Sequence, residues 1–92
     1  MSHFDWDPAK AEANVRKHGV SFDEAETVDD DPLHRSWPDP GHASDDARFV
    51  LVGQSEEGFL LIVLTSEGGP KPRIISARRA TKRERHAYED RP

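Results

Sequence analysis

The spacing of apolar residues along this 92-residue chain changes once, from a helical period to a strand period. Between Pro8 and His18, Ala11, Val15 and His18 recur at i, i+4 and i+7 and predict a helix with a narrow apolar stripe. Asp7 serves as its N-cap, Pro8 takes the first helical position, where its missing N–H costs nothing, and Gly19 closes it. Ser21 and Glu24 have the spacing of a capping box, and Phe22, Ala25 and Val28 then repeat every three residues, so a second helix starts at Ser21 and stops at Asp29-Asp30-Asp31-Pro32. From Arg48 the pattern is that of strands. Arg48 to Gln54 and Phe59 to Ser66 flank SEEG, whose glycine suits the left-handed position of a hairpin loop. A third strand covers Arg73 to Arg78, with Ile74, Ser76 and Arg78 alternating against Ile75 and Ala77. Thr81 and Glu84 form a second capping box and predict a terminal helix over TKRERHAYED. Shorter strand signals lie at Leu33 to Trp37 and His3 to Asp5. The expected class is α+β: two helices, an antiparallel meander of three to four strands, and a last helix.

Composition narrows the picture. Ninety-two residues make one domain, 1–92, and leave no room for two. Equal hydrophobic and charged fractions of 34% raise disorder as an alternative, but dense runs such as FVLV and FLLIVL require something to cover them. With no cysteine, neither disulfides nor a thiolate metal site holds the fold. No stretch is apolar enough to cross a bilayer and MSHFDWDP lacks the regions of a signal peptide, so the expectation is a cytoplasmic protein without membrane association. The polar stretch HRSWPDPGHASDDA, 34 to 47, reads as the loop between the two halves.

The net charge of −5 argues against a nucleic-acid partner until it is divided along the chain. Residues 1 to 57 hold 5 Lys/Arg against 14 Asp/Glu, a balance of −9, and residues 58 to 92 hold 8 against 4, a balance of +4. Seven of those eight cations fall between Lys71 and Arg85, so an anion-binding surface belongs there. Arg78 and Arg79 offer planar forks for phosphate beside a helix start that adds partial positive charge. Alternatively, they pair with carboxylates of the acidic half. Lys17-His18 could bind phosphate and transfer protons near neutral pH, as metal-free cleavage of RNA by its own 2'-hydroxyl requires. Equally, these cations could do no more than cap the first helix. His3, His34, His42 and His86 have no spacing typical of a metal site, and Asp29 to Asp31 read as a helix stop in solvent. Glu84 could act as a base but is explained by its cap. Tyr88 could stack on a base, donate a proton or pack, and Trp6 and Trp37 read as core or interface residues.

The segments FDWDPAKAEANVRKHGVSFDEA, DDPL, RFVLVGQSEEGFLLIV and RIISARRATKRERHAYE, in that order and spacing, resemble the BrnT toxin family over nearly the whole chain. The resemblance implies a RelE-like fold, a twisted antiparallel sheet with packed helices, and the activity of a metal-independent endoribonuclease that needs no cofactor and inhibits translation. It also implies a BrnA-type ribbon-helix-helix antitoxin, bound in a heterotetramer that meets promoter DNA through the antitoxin. On the family's motifs, Arg78, Arg79, Lys17 and His18 are the expected catalytic residues, with Arg73, Lys82, Arg83 and Tyr88 expected to bind RNA. Two departures stand out: Leu64 replaces a polar aromatic or histidine frequent in relatives, and SEGGPKP differs from their shorter turn. The rival reading is a non-catalytic module whose basic strand and helix grip an acidic antitoxin segment within a repressor complex.

Overall fold

The computed structural model describes residues 3–39 and 47–90; His42 and the centre of the expected 34–47 loop lie outside them. Helix α1 (Pro8–His18) is followed by α2 (Phe22–Glu26), a 3₁₀ turn (Thr27–Asp30), strands β1 (Arg35–Pro38), β2 (Ala47–Gln54), β3 (Leu60–Glu67) and β4 (Arg73–Arg79), and helix α3 (Lys82–Glu89). The four strands form one antiparallel sheet in the order β1-β2-β3-β4. The class is α+β, as expected, and the boundaries fall within a residue or two of the sequence signals. The predicted caps are present: Asp7 accepts the Ala9 N–H, Ser21 accepts the Glu24 N–H, and Thr81 with Glu84 closes a full capping box. Gly19 and Gly58 take the positive φ, 70° and 90°, that the end of α1 and the β2–β3 hairpin demand. The His3–Asp5 signal is realised as a single parallel bridge, in which the Asp5 N–H donates to the Pro72 carbonyl and Asp5 accepts from the Ile74 N–H.

One face of the sheet is covered by α1, α2 and the 3₁₀ turn, and the core lies between them. Val20, Phe22, Ala25 and Val28 from the helical layer meet Leu51, Leu61, Val63, Ile74 and Ala77 from the strands, with Phe4 alongside. Trp6 packs its edge against Phe22, ring centroids 6.0 Å apart. Where β2 passes beneath the 3₁₀ turn there is room only for glycine, because a Cβ on Gly53 would stand 2.9 Å from Val28 Cγ1 and from His34 Cβ.

Two details depart from the sequence reading. The buried line of α1 runs through Ala11, Asn14 and His18, and Val15, expected in the apolar stripe, is 48% exposed. The cause is Asn14, whose amide donates to the carbonyls of Val20 (2.9 Å) and Ala77 (2.8 Å) while its oxygen accepts the Ala77 N–H (3.2 Å). That side chain satisfies the outer edge of β4 as a neighbouring strand would, and it sets the rotation of the helix. In β4, a bulge opposite Leu64/Thr65 pairs Ile74 with Thr65 and Ser76 with Leu64, leaving Ile75 as the extra residue. Strict alternation fails there: Ile74 joins Ala77 on the core face, and Ser76 and Arg78 share the other.

Asn14→Ala would leave two carbonyls and one N–H without partners inside the protein. It is expected to destabilise the fold by about 3 kcal/mol, read as a lowered urea midpoint with unchanged slope. A loss under about 1 kcal/mol would show that the amide does not hold β4 to α1.

Candidate functional site

The register brings two rows of side chains across the sheet on the face away from the core. Arg35, Val52, Ile62 and Arg78 are successive partners in one row, and Trp37, Val50, Leu64 and Ser76 in the next. Helix α3 stands along one side and contributes Glu84, Ala87 and Tyr88. Together with Asp39 these residues line a cleft of about 520 Å³ with an aliphatic floor and a polar rim.

Arg78 is the organising cation. Its Nη1 and Nη2 donate to Glu84 Oε1 (2.7 Å) and Oε2 (2.8 Å), and Nη1 also reaches the Arg79 carbonyl at 3.4 Å. Glu84 Oε1 accepts the Thr81 N–H as well (2.9 Å), so the carboxylate caps α3 and grips Arg78 at once. The Arg78 hydrogen bonds, together with the Thr81 N–H, lower the Glu84 pKa to about 2, and Glu84 in turn raises that of Arg78. Both groups are charged at any pH the protein meets. A guanidinium has five N–H donors, and Glu84 occupies two of them, so further donors are left for a ligand.

A second cluster fixes the far end of α3. The Tyr88 hydroxyl lies 2.9 Å from the Leu33 carbonyl and 3.1 Å from Asp31 Oδ2, and its single proton can serve either. Asp31 also accepts the N–H groups of Gln54 (2.8 Å) and Leu33 (2.9 Å). Burial pushes the Asp31 carboxyl up, but the Gln54, Leu33 and Tyr88 hydrogen bonds and nearby His34 outweigh it and hold the pKa below the usual value. Asp31 is therefore no helix stop left in solvent. It ties the turn after the 3₁₀ segment to β2 and α3.

Of the residues expected from sequence to act on RNA, Arg78 and Tyr88 meet in the cleft. Arg79 points to the opposite face, where its guanidinium sits 3.8 Å from the centre of the Phe59 ring. Lys17 and His18 end α1 and line a separate depression with Lys10, Asn14 and Ile75. Arg73, at the start of β4, pairs with Asp5 at 3.4 Å, and Lys82 and Arg83 are exposed on the first turn of α3. Sequence reasoning did not single out Arg35, Trp37 or Asp31 for this site. An i, i+2 pair in a strand and an Asp-Pro turn were the available signals. Among the described residues, no group of three or more His, Asp or Glu side chains could hold a metal ion, and no helix is long and apolar enough to cross a membrane.

The depressed pKa of Glu84 has a definite sign. Its stabilising effect is complete above about 4.5 and is lost as pH falls toward about 2. Glu84→Gln should be less stable than the parent at pH 7, and the gap should narrow steadily below pH 4.5 in parallel urea titrations. A gap that does not change with pH would mean that the carboxylate charge contributes nothing.

Comparison with curated protein sequences gives no match. Among solved structures, the 1.1 Å crystal structure of the ribonuclease toxin BrnT from Brucella abortus superposes with a TM-score of 0.66 at 23% identity, over 86% of this chain and 96% of that one. At that identity the likeness establishes the fold. The profile of a family described as "Ribonuclease toxin, BrnT, of type II toxin-antitoxin system" matches residues 6–84, which take in α1, the sheet and the Arg78–Glu84 pair. The chain belongs to the BrnT family of ribonuclease toxins of type II toxin-antitoxin systems.

Proposed function

We propose that this chain is an endoribonuclease that cuts RNA without a metal ion and inhibits translation until an antitoxin neutralises it. The observation that carries the reading is the Arg78 guanidinium, held in a fixed orientation by Glu84 at the wall of a cleft that Tyr88 also lines. In such a reaction the 2'-oxygen of the substrate attacks the adjacent phosphorus and gives up its proton to solvent water. The bond from phosphorus to the 5'-oxygen breaks, that oxygen takes a proton from solvent, and a 2',3'-cyclic phosphate remains. Charge builds on the phosphate oxygens in the transition state, and a pre-oriented guanidinium meets it without reorganising. Glu84, with a pKa of about 2, is too weak a base at neutral pH to accept the 2'-proton. Its role in this scheme is to aim Arg78. Tyr88, fixed by Asp31 and Leu33, forms the wall against which the nucleotide lies.

Lys82 and Arg83, exposed on the first turn of α3, extend the cationic track for the RNA backbone, and Arg73 does so at the other end of β4. Arg79, Lys17 and His18 stand outside the cleft and take no step there. The partner implied by family membership is an antitoxin. We assign it to the BrnA type, a ribbon-helix-helix protein that forms a heterotetramer with the toxin and carries the complex to promoter DNA in the cytoplasm. The closed Arg78–Glu84 pair also fits a second reading, in which the chain only binds its antitoxin and cuts nothing.

Purified protein in EDTA should still release fragments ending in 2',3'-cyclic phosphate. Arg78→Ala should lower the cleavage rate roughly a hundredfold or more while remaining folded at the assay temperature by circular dichroism. Lys17→Ala and His18→Ala should stay near the parent rate. Intact RNA with the folded parent, with or without added metal, would leave the binding-only reading in its place.

A further inference from the structure

We infer that the cleft receives one unpaired nucleotide of single-stranded RNA, with its base laid on the aliphatic floor against Trp37 and its phosphate toward Arg78. The inference rests on the ribonuclease reading and adds to it the form of the substrate and a residue that selects it. Trp37 is 44% exposed on β1, on the sheet face opposite the core, where the fold itself has no use for a large aromatic ring. Beside it, Val50, Val52, Ile62 and Leu64 make a floor with no charge. The rim holds Arg35 and Arg78 against Asp39 and Glu84, so its formal charges cancel. A neutral rim attracts a bare phosphate backbone weakly, so the ligand must gain its affinity from apolar contact as well.

A nucleotide supplies one flat, weakly hydrated ring and one anion. The cleft supplies one exposed indole, an aliphatic floor and one oriented arginine fork. Its volume, about 520 Å³, is that of a pocket for a small ligand. Those properties favour a nucleotide over a protein segment, which would need a longer groove to seat several turns or residues. A base within a duplex is paired and stacked and cannot offer its face to Trp37, whereas a base in a single strand can turn outward.

The test is fluorescence anisotropy with a labelled single-stranded RNA of mixed sequence and the same strand annealed to its complement. Parent, Trp37→Ala, Trp37→Phe and Arg78→Ala are compared, each after its folded state is verified by circular dichroism. The single strand should bind at least about tenfold more tightly than the duplex, and Trp37→Ala should weaken it by about tenfold. Trp37→Phe should recover most of that loss, and Trp37→Ala should leave the slope of log affinity against log salt unchanged, because the ring neutralises no phosphate. Equal binding of duplex and single strand overturns the inference, as does a folded Trp37→Ala that binds and cuts like the parent. If that variant instead loses affinity for its cognate antitoxin, the cleft is a protein-docking surface and the inference fails. Sensitivity to Arg78→Ala with indifference at Trp37 sinks this inference alone, while indifference at both sinks the ribonuclease reading itself.

Discussion

The amide of Asn14 is the contact on which the two halves of the molecule depend. Three hydrogen bonds from one buried side chain join α1, the turn at Val20 and the outer edge of β4 at Ala77. An edge strand offers unpaired backbone groups, and here a side chain takes the place of the missing strand. Ala77 is next to Arg78, so the same amide that orients α1 over the core fixes the backbone from which the cleft's arginine projects. A second constraint acts across the sheet, where the absence of a side chain at Gly53 lets the 3₁₀ turn and His34 approach β2. That approach brings Asp31 to Gln54 and through it to Tyr88, so both ends of the cleft are held by contacts to the helical layer.

Within the cleft the Arg78–Glu84 pair does two things that pull against each other. Partly exposed, it adds little to stability in itself, since solvent screens the attraction. Its value is geometric, because a bidentate fork fixes the guanidinium plane where a single contact would leave it to rotate. The cost is that the carboxylate shares the cation that a phosphate would seek. Glu84 is also fixed by its own capping box, so it is not free to swing away, and an incoming phosphate has to use the donors that Glu84 leaves over.

The sequence was most legible where a rule is local. Asp7-Pro8, Ser21 with Glu24, Thr81 with Glu84, and the glycine of SEEG each specify geometry within a few residues, and each element begins or turns at those positions. What failed needed knowledge of a partner far along the chain. Val15 belongs to a helical stripe by spacing alone, but the polar Asn14 displaces it by bonding to a strand sixty-three residues away. Asp31 looked like a charge in solvent because its acceptor role depends on Gln54 and Tyr88. At the site, basic residues in the last third of the chain pointed to the strand and helix that line the cleft. Which arginine faces the cleft, and that Arg35 and Trp37 stand opposite it, depends on a four-strand register that no single segment encodes.

The bulge at Ile75 gives β4 a residue of slack between two anchors, the Asp5 bridge before it and the Asn14 amide after it. Were Ile75 paired in the ladder instead of bulged, the two anchors would demand incompatible phases of the same strand: Ile74 in the core and Arg78 in the cleft are an even number of residues apart, yet on opposite faces. The chain can therefore change the side chain at 75 readily and can even lose the residue, because Ile74 opposite Thr65 and Ser76 opposite Leu64 would then follow each other in a regular ladder with Arg78 still on its face. A residue gained between Ala77 and Arg78, with the register before it held, would instead exchange the two arginines, turning Arg79 to the floor and Arg78 toward the ring of Phe59.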